Sequence, residues 1–216
     1  MYDWVNSAFT TIIVTFVYST YFAEAFGPDK VVGGAYWARA VSISAVIVAL
    51  LSPLVGAMAD QGGRRRAYLM VSTFICVAGT AALAFVSPAM DHAVLTALGI
   101  FIIANVAFEV GGVFYHSFLP DVAPPGKIGT ISGLGWGIGY TAGIVGLILA
   151  LLAFVGFGGN DAWLGLSTEE GWNVRAVNLL VAGWFLLFSI PMFLFVKDTN
   201  PGKGRVRVGQ AFQELK

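Results

Sequence analysis

The densest group of residues able to do chemistry is Gly56-Ala57-Met58-Ala59-Asp60-Gln61-Gly62-Gly63-Arg64-Arg65-Arg66. A glycine four residues before an aspartate lets two helix ends approach, and the arginines can pair with Asp60 or with lipid phosphate. Positive-inside anchoring explains the arginines but not the Gly-Asp-Gly spacing. A second constellation is Asn105 and Glu109. Four residues apart, they share one helical face and are candidates for substrate contact or proton coupling, because a carboxyl inside a membrane is costly and defaults to a functional hypothesis. Glu24 and Arg39 flank a short break and are expected to form an outer ion pair. Asp3 stands where a helix N-terminus favours negative charge.

Other residues carry less. Ser132 and His116 suggest a hydrolase only weakly, since no second polar partner is evident and no glycine stands two residues before Ser132, and no enzyme activity is expected. One cysteine, Cys76, excludes a disulfide framework, and two histidines leave no metal cluster. No cofactor and no nucleic acid is expected. Gly135, Gly139 and Gly143 form small-x-x-x-small steps, and so do Gly129, Gly133 and Gly137. Such rows allow close helix packing in lipid; a phosphate-cradling loop fails because no strand precedes the segment.

The elements that position these residues follow from composition. Hydrophobic side chains make up 57% of 216 residues and charged ones 11%, with mean hydropathy +0.80. An ordinary soluble domain is about 25% charged, so this chain is a membrane protein. Its apolar runs are continuous and about twice the length of a barrel strand. Six reach the roughly 20 residues a span needs, at 4–26, 35–59, 67–87, 93–117, 129–156 and 174–196. The sequence therefore predicts an all-α bundle over 1–196 and a basic tail or linker over 197–216. In that tail Val208, Phe212 and Leu215 fall near one helical face, as in a helix lying on the membrane surface, although a solvated tail fits equally. Ser167 and Glu170 read as a capping box for the sixth helix. Trp37, Trp163 and Trp172 read as belt residues at the span edges.

Charge sets orientation. Of twelve Lys and Arg, nine collect on one side: Arg64, Arg65, Arg66, Lys127, Lys197, Lys203, Arg205, Arg207 and Lys216. Lys30, Arg39 and Arg175 fall elsewhere. The asymmetry places both termini in the cytoplasm of a multi-pass protein, with the inner or plasma membrane expected.

The Gly56-to-Arg65 spacing resembles the loop motif of the major facilitator superfamily. Gly56, Asp60, Gly63, Arg64 and Arg65 fit it, and Gln61 departs by replacing a basic residue. Four further blocks look like the vacuolar-effluxer-like branch, relatives of the autophagy-linked amino-acid effluxers: Tyr2 to Phe9, Phe114 to Asp121, Ser132 to Tyr140, and Pro191. His116 and Glu109 stand where that branch has Asn and Gln. The resemblance implies a secondary transporter moving a small solute, with amino acids the class it suggests, by alternating access. It also implies twelve helices in two six-helix halves, so this chain is expected to be an N-terminal half that meets a second half or a second copy of itself. A non-transporting scaffold, working as a six-helix homodimer or with a partner, is the alternative. A parent gene encoding six more helices favours transport, and a stop codon soon after Lys216 favours the scaffold.

Overall fold

A computed structural model describes residues 2–61, 64–196 and 198, so Gly63 of the loop motif and nearly all of the basic tail lie outside the described residues. The chain is an all-α membrane bundle. In order, its helices are α1 (Tyr2–Ala8), α2 (Val17–Ala25), α3 (Lys30–Gln61), α4 (Arg65–Leu83), α5 (Ala93–His116), α6 (Leu119–Val122), α7 (Ile128–Ala150), α8 (Trp172–Arg175) and α9 (Val177–Phe195).

Five helical stretches are long and apolar enough to cross a bilayer: Lys30–Asp60, Arg65–Leu83, Ala93–Val122, Ile128–Val155 and Glu169–Phe195. The expected first span is helical as well, but a π-helical segment, Phe9–Phe16, separates α1 from α2. The local sequence accounts for it. Thr10-Thr11-Ile12-Ile13-Val14-Thr15 is β-branched throughout, which weakens α preference. Thr15 Oγ1 donates to the Thr10 carbonyl five residues back at 2.9 Å, and Trp37 Nε1 on α3 donates to the Val14 carbonyl at 3.1 Å. Trp37 is thus a core residue, 6% exposed, and not part of an interfacial belt.

The α2–α3 turn is tight. Asp29 Oδ1 accepts from the Val31 and Val32 amides at 2.8 and 2.9 Å, a side-chain cap that opens α3. At Gly33 a Cβ would fall 2.2 Å from the Ala23 carbonyl oxygen, so only glycine lets the helices meet there. α1 packs on α7 and α9, α2 on α3, and α5 between α3 and α4, while α4 also meets α9. Aromatic pairs fill the centre, among them Phe9 on Phe108 at 4.7 Å and Trp37 on Phe101 at 4.1 Å.

At the end opposite the arginine cluster, the sixth apolar helical stretch, Glu169–Phe195, does not open with a capping box. Ser167 Oγ accepts from the Glu169 amide at 3.1 Å. Glu170 adopts a left-handed backbone at φ 48° and turns its carboxylate to Ser87 Oγ and, at 3.9 Å, to Arg175 Nη2. The buried Arg175 guanidinium recruits the carboxylate the cap would have used. Arg175 also donates to the Ala84 carbonyl at 3.3 Å.

The expected Glu24–Arg39 pair does not form. Glu24 Oε1 accepts instead from Lys30 Nζ at 2.6 Å, both side chains being more than half exposed. Lys30 starts α3 directly across the turn, whereas Arg39 lies more than two helical turns further along it.

Candidate functional site

Four sequence-distant blocks converge at the arginine-bearing end of the bundle. The start of α1 brings Tyr2 and Asp3; the end of α5 brings Tyr115 and His116. The first turns of α7 bring Ser132 and Gly135, and the end of α9 brings Pro191 and Met192. Together they line a cavity of about 620 Å³ whose walls are mainly apolar.

Its polar floor is ordered by direct contacts. Tyr115 Oη donates to Asp3 Oδ2 at 2.5 Å. The Tyr2 and Tyr115 rings stack at 4.7 Å, and the Tyr2 hydroxyl is bonded to Thr73 Oγ1 of α4 at 2.9 Å. Gly135 makes room for the carboxylate, since a Cβ there would fall 2.6 Å from Asp3 Oδ2. One turn deeper a Cβ on Gly139 would lie 2.8 Å from the Asp3 carbonyl oxygen, and on Gly143 2.7 Å from Thr11 Oγ1. The row Gly135, Gly139, Gly143 therefore faces α1. Gly129, Gly133 and Gly137 have nothing within 4 Å and look outward with Trp136 and Tyr140, which are 55% and 61% exposed.

Beside the cavity, Arg65 at the start of α4 holds three elements together. Its Nη2 bonds Asp121 Oδ2 at 2.5 Å and Asp198 Oδ1 at 3.1 Å, and its Nη1 donates to the Ser117 carbonyl at 2.8 Å. The guanidinium lies 4.5 Å from the Phe118 ring centroid. Arg66 donates to the Phe193 carbonyl. Within the loop motif, Gly56 has open space around its Cβ position and Asp60 and Arg64 are exposed. Of the motif's described members, Arg65 is the one that reaches into the bundle. Asp121 and Asp198 were not read as its partners, because a partner separated by more than fifty residues leaves no trace in local spacing.

Asn105 and Glu109 are not brought into this cavity. Asn105 is buried at 7% exposure in the bundle, whereas Glu109, next to the Phe108 that stacks on Phe9, lies on an exposed face of α5.

Comparison with known proteins now bears on the geometry. The family described as vacuole effluxer Atg22 like matches residues 24–129 and 125–213. The chain belongs to that family. Among its relatives, an uncharacterised MFS-type transporter of Bacillus subtilis, YxiO, is 28% identical over 199 residues, which is 91% of this chain and 45% of the relative. Autophagy-related protein 22 of Eremothecium gossypii is 30% identical over 111 residues, 45% of this chain and 20% of that protein. No solved structure matches the chain. The chain thus spans less than half the length of these curated relatives; the matching family is that of a vacuole effluxer, and YxiO is named a transporter.

Proposed function

We propose that this chain is one six-helix half of a secondary transporter that moves a small solute across a membrane by alternating access. The observation that carries the reading is family membership across almost the whole chain, joined to a match that covers 45% of a transporter-type relative. Half of such a machine must offer a face to the other half. The outward glycine row of α7, flanked by exposed Trp136, Tyr140 and Ile144, suits that role, because small residues let backbones approach where lipid supplies no hydrophobic drive.

On this reading the first helical stretch, residues 2–25, completes the six spans despite its π-helical middle. Both termini lie in the cytoplasm, with Arg64, Arg65, Arg66 and Lys127 at the same end. The exposed Glu109 faces the route between the halves and is the candidate for proton coupling, with Asn105 behind it on the same helix. The loop motif around Asp60 and Arg65 governs the cycle at the cytoplasmic end. Amino acids are the first solute class to test, from the kinship with vacuolar effluxers. Radiolabelled counterflow in proteoliposomes tests the proposal: saturable exchange that Glu109→Gln abolishes supports it, and exchange indifferent to both solute gradient and variant refutes it.

The same outward face of α7 also suits a homodimer acting as a scaffold. That reading predicts a stable dimer in lipid with no saturable flux of any solute.

A further inference from the structure

At the end of the bundle opposite the arginines, the apolar stretch Ile128–Val155 closes with a π-helical turn, Leu151–Val155. The chain then doubles back instead of running straight out. The Gly156 amide donates to the Leu151 carbonyl at 2.7 Å, the Trp163 amide to Leu152 at 3.0 Å and the Leu164 amide to Ala153 at 3.0 Å. Asn173 Nδ2 donates to the Phe154 carbonyl at 3.3 Å. Four carbonyls of the last turn thus find donors in the chain that follows, as a helix end shielded from water requires. Gly156 makes the reversal possible, with φ at 88° and a Cβ position only 2.8 Å from the Asn160 carbonyl oxygen. A backbone bridge between Phe157 and Asn160 closes the tip.

These bonds set a depth. Trp163 and Leu164 lie level with Leu152 and Ala153, inside the apolar stretch and not beyond it. Both are nevertheless turned outward, 70% and 54% exposed, and Phe157 is 63% exposed. A loop surrounded by water gains nothing from presenting three large apolar side chains on a hydrogen-bonded frame. The polar residues sit elsewhere: Asn160 and Asp161 stand at the tip, and no lysine or arginine occurs between 156 and 168. Apolar flanks at the level of a span, with a polar tip past its end, are the distribution expected at the boundary between acyl chains and headgroups.

We propose that residues 156–165 form a lipid-embedded hairpin, with Phe157, Trp163 and Leu164 seated among the upper acyl chains of the leaflet at this end and Asn160 and Asp161 held among its headgroups. A belt tryptophan only marks the edge of a span. This hairpin carries apolar side chains back below that edge and fastens them to the helix it has just left. The partner is the bilayer itself, so the inference stands whether or not the chain transports a solute.

The test is tryptophan fluorescence of the full chain in phosphatidylcholine nanodiscs, read as the difference between the parent and Trp163→Phe, which isolates the Trp163 emission. Lipid brominated just below the headgroups should quench that difference signal roughly twofold more than lipid brominated at the chain ends, as interfacial tryptophan does. Aqueous iodide should barely touch it. A signal quenched by iodide and by neither lipid overturns the proposal in favour of a loop in water. A signal that no quencher reaches overturns it in favour of a protein cover, whether a second copy or another subunit. Quenching strongest at the chain ends overturns the assigned depth. A second reading replaces Trp163 by a probe at its neighbour: Leu164→Cys in a Cys76→Ser background, carrying a nitroxide. Its collisions with oxygen should outnumber those with a water-soluble nickel chelate, and the reverse order at Asp91→Cys, an exposed position at the same end, supplies the aqueous reference. A Leu164 label that matches the Asp91 label overturns the proposal even where Trp163→Phe disturbs the fold.

Discussion

Gly139→Ala should loosen α1 from α7, and the geometry sets the scale. The new Cβ would lie 2.8 Å from the Asp3 carbonyl oxygen, 3.0 Å from Ser7 Oγ and 3.2 Å from the Asp3 carbonyl carbon. Ser7 Oγ can rotate away, but a backbone carbonyl cannot. Ordinary contact begins near 3.4 Å, so α1 must retreat by about 0.6 Å along the whole glycine row. Overpacking of this kind costs about 1–3 kcal/mol. The gain in helix propensity from Gly to Ala offsets up to about 1 kcal/mol. Gly137→Ala is the matched control, because it collects the same propensity gain with nothing within 4 Å of its Cβ. The difference between the two variants therefore isolates the contact. At roughly 2–4 °C per kcal/mol for a chain of this length, Gly139→Ala should melt about 2–12 °C below Gly137→Ala. Cys76 is the chain's one cysteine and is buried, so a thiol-reactive fluorophore reports unfolding directly. Equal melting of the two variants would refute the claim that this row is an α1–α7 contact.

Three further outcomes are expected. Arg65→Ala leaves Asp121 and Asp198 facing each other without their shared cation and should cost about 2 kcal/mol; this is below the 3–5 kcal/mol of a fully buried pair, because Asp121 keeps 31% of its side-chain surface exposed. The Cys76 thermal assay reads it, and Arg65→Lys should recover only part, lacking the fork that reaches both carboxylates and the Ser117 carbonyl. Asp60→Asn should slow counterflow more than it lowers the amount of protein in the membrane; transport at the parent rate would reduce the loop to an anchor. A cysteine at Gln61 should label with an impermeant reagent only after permeabilisation, and labelling in intact cells would invert the topology.

The fold class was open to reading because each apolar run is long and each break carries glycine, proline or charge. The same reading has its fourth run over 93–117, where the structure has α5 at Ala93–His116 within a longer apolar helical stretch, Ala93–Val122. It missed the division of the first helix, since the π turn depends on Trp37 of another helix taking the Val14 carbonyl. It read Ser167 and Glu170 as a local cap, but the buried Arg175 and Ser87 compete for that carboxylate, and a long-range partner is invisible to a four-residue motif. It paired Glu24 with Arg39 because both are charged near an outer edge; the length of the turn decides for Lys30.

The candidate site was legible in pieces. Tyr2, Asp3, Tyr115, His116, Ser132, Gly135 and Pro191 belong to four blocks recognised separately by resemblance, and nothing in their spacing says that they share a cavity. Asn105 and Glu109 were singled out by cost: a mid-span carboxyl is conspicuous, whereas Asp3 at a helix start reads as a capping residue. The glycine rows of α7 look alike in sequence, yet one is packed on α1 and the other is open. Helical phase relative to the rest of the bundle separates them, and only the tertiary arrangement sets that phase.

The central claim, that this chain is half of a transporter, is tested most directly by measuring mass and flux on the same proteoliposomes. The account predicts no saturable counterflow from a preparation that is strictly monomeric, and saturable counterflow once two six-helix bundles are joined, whether as a second copy or as a dedicated second half. A strictly monomeric chain that catalyses saturable flux would contradict it.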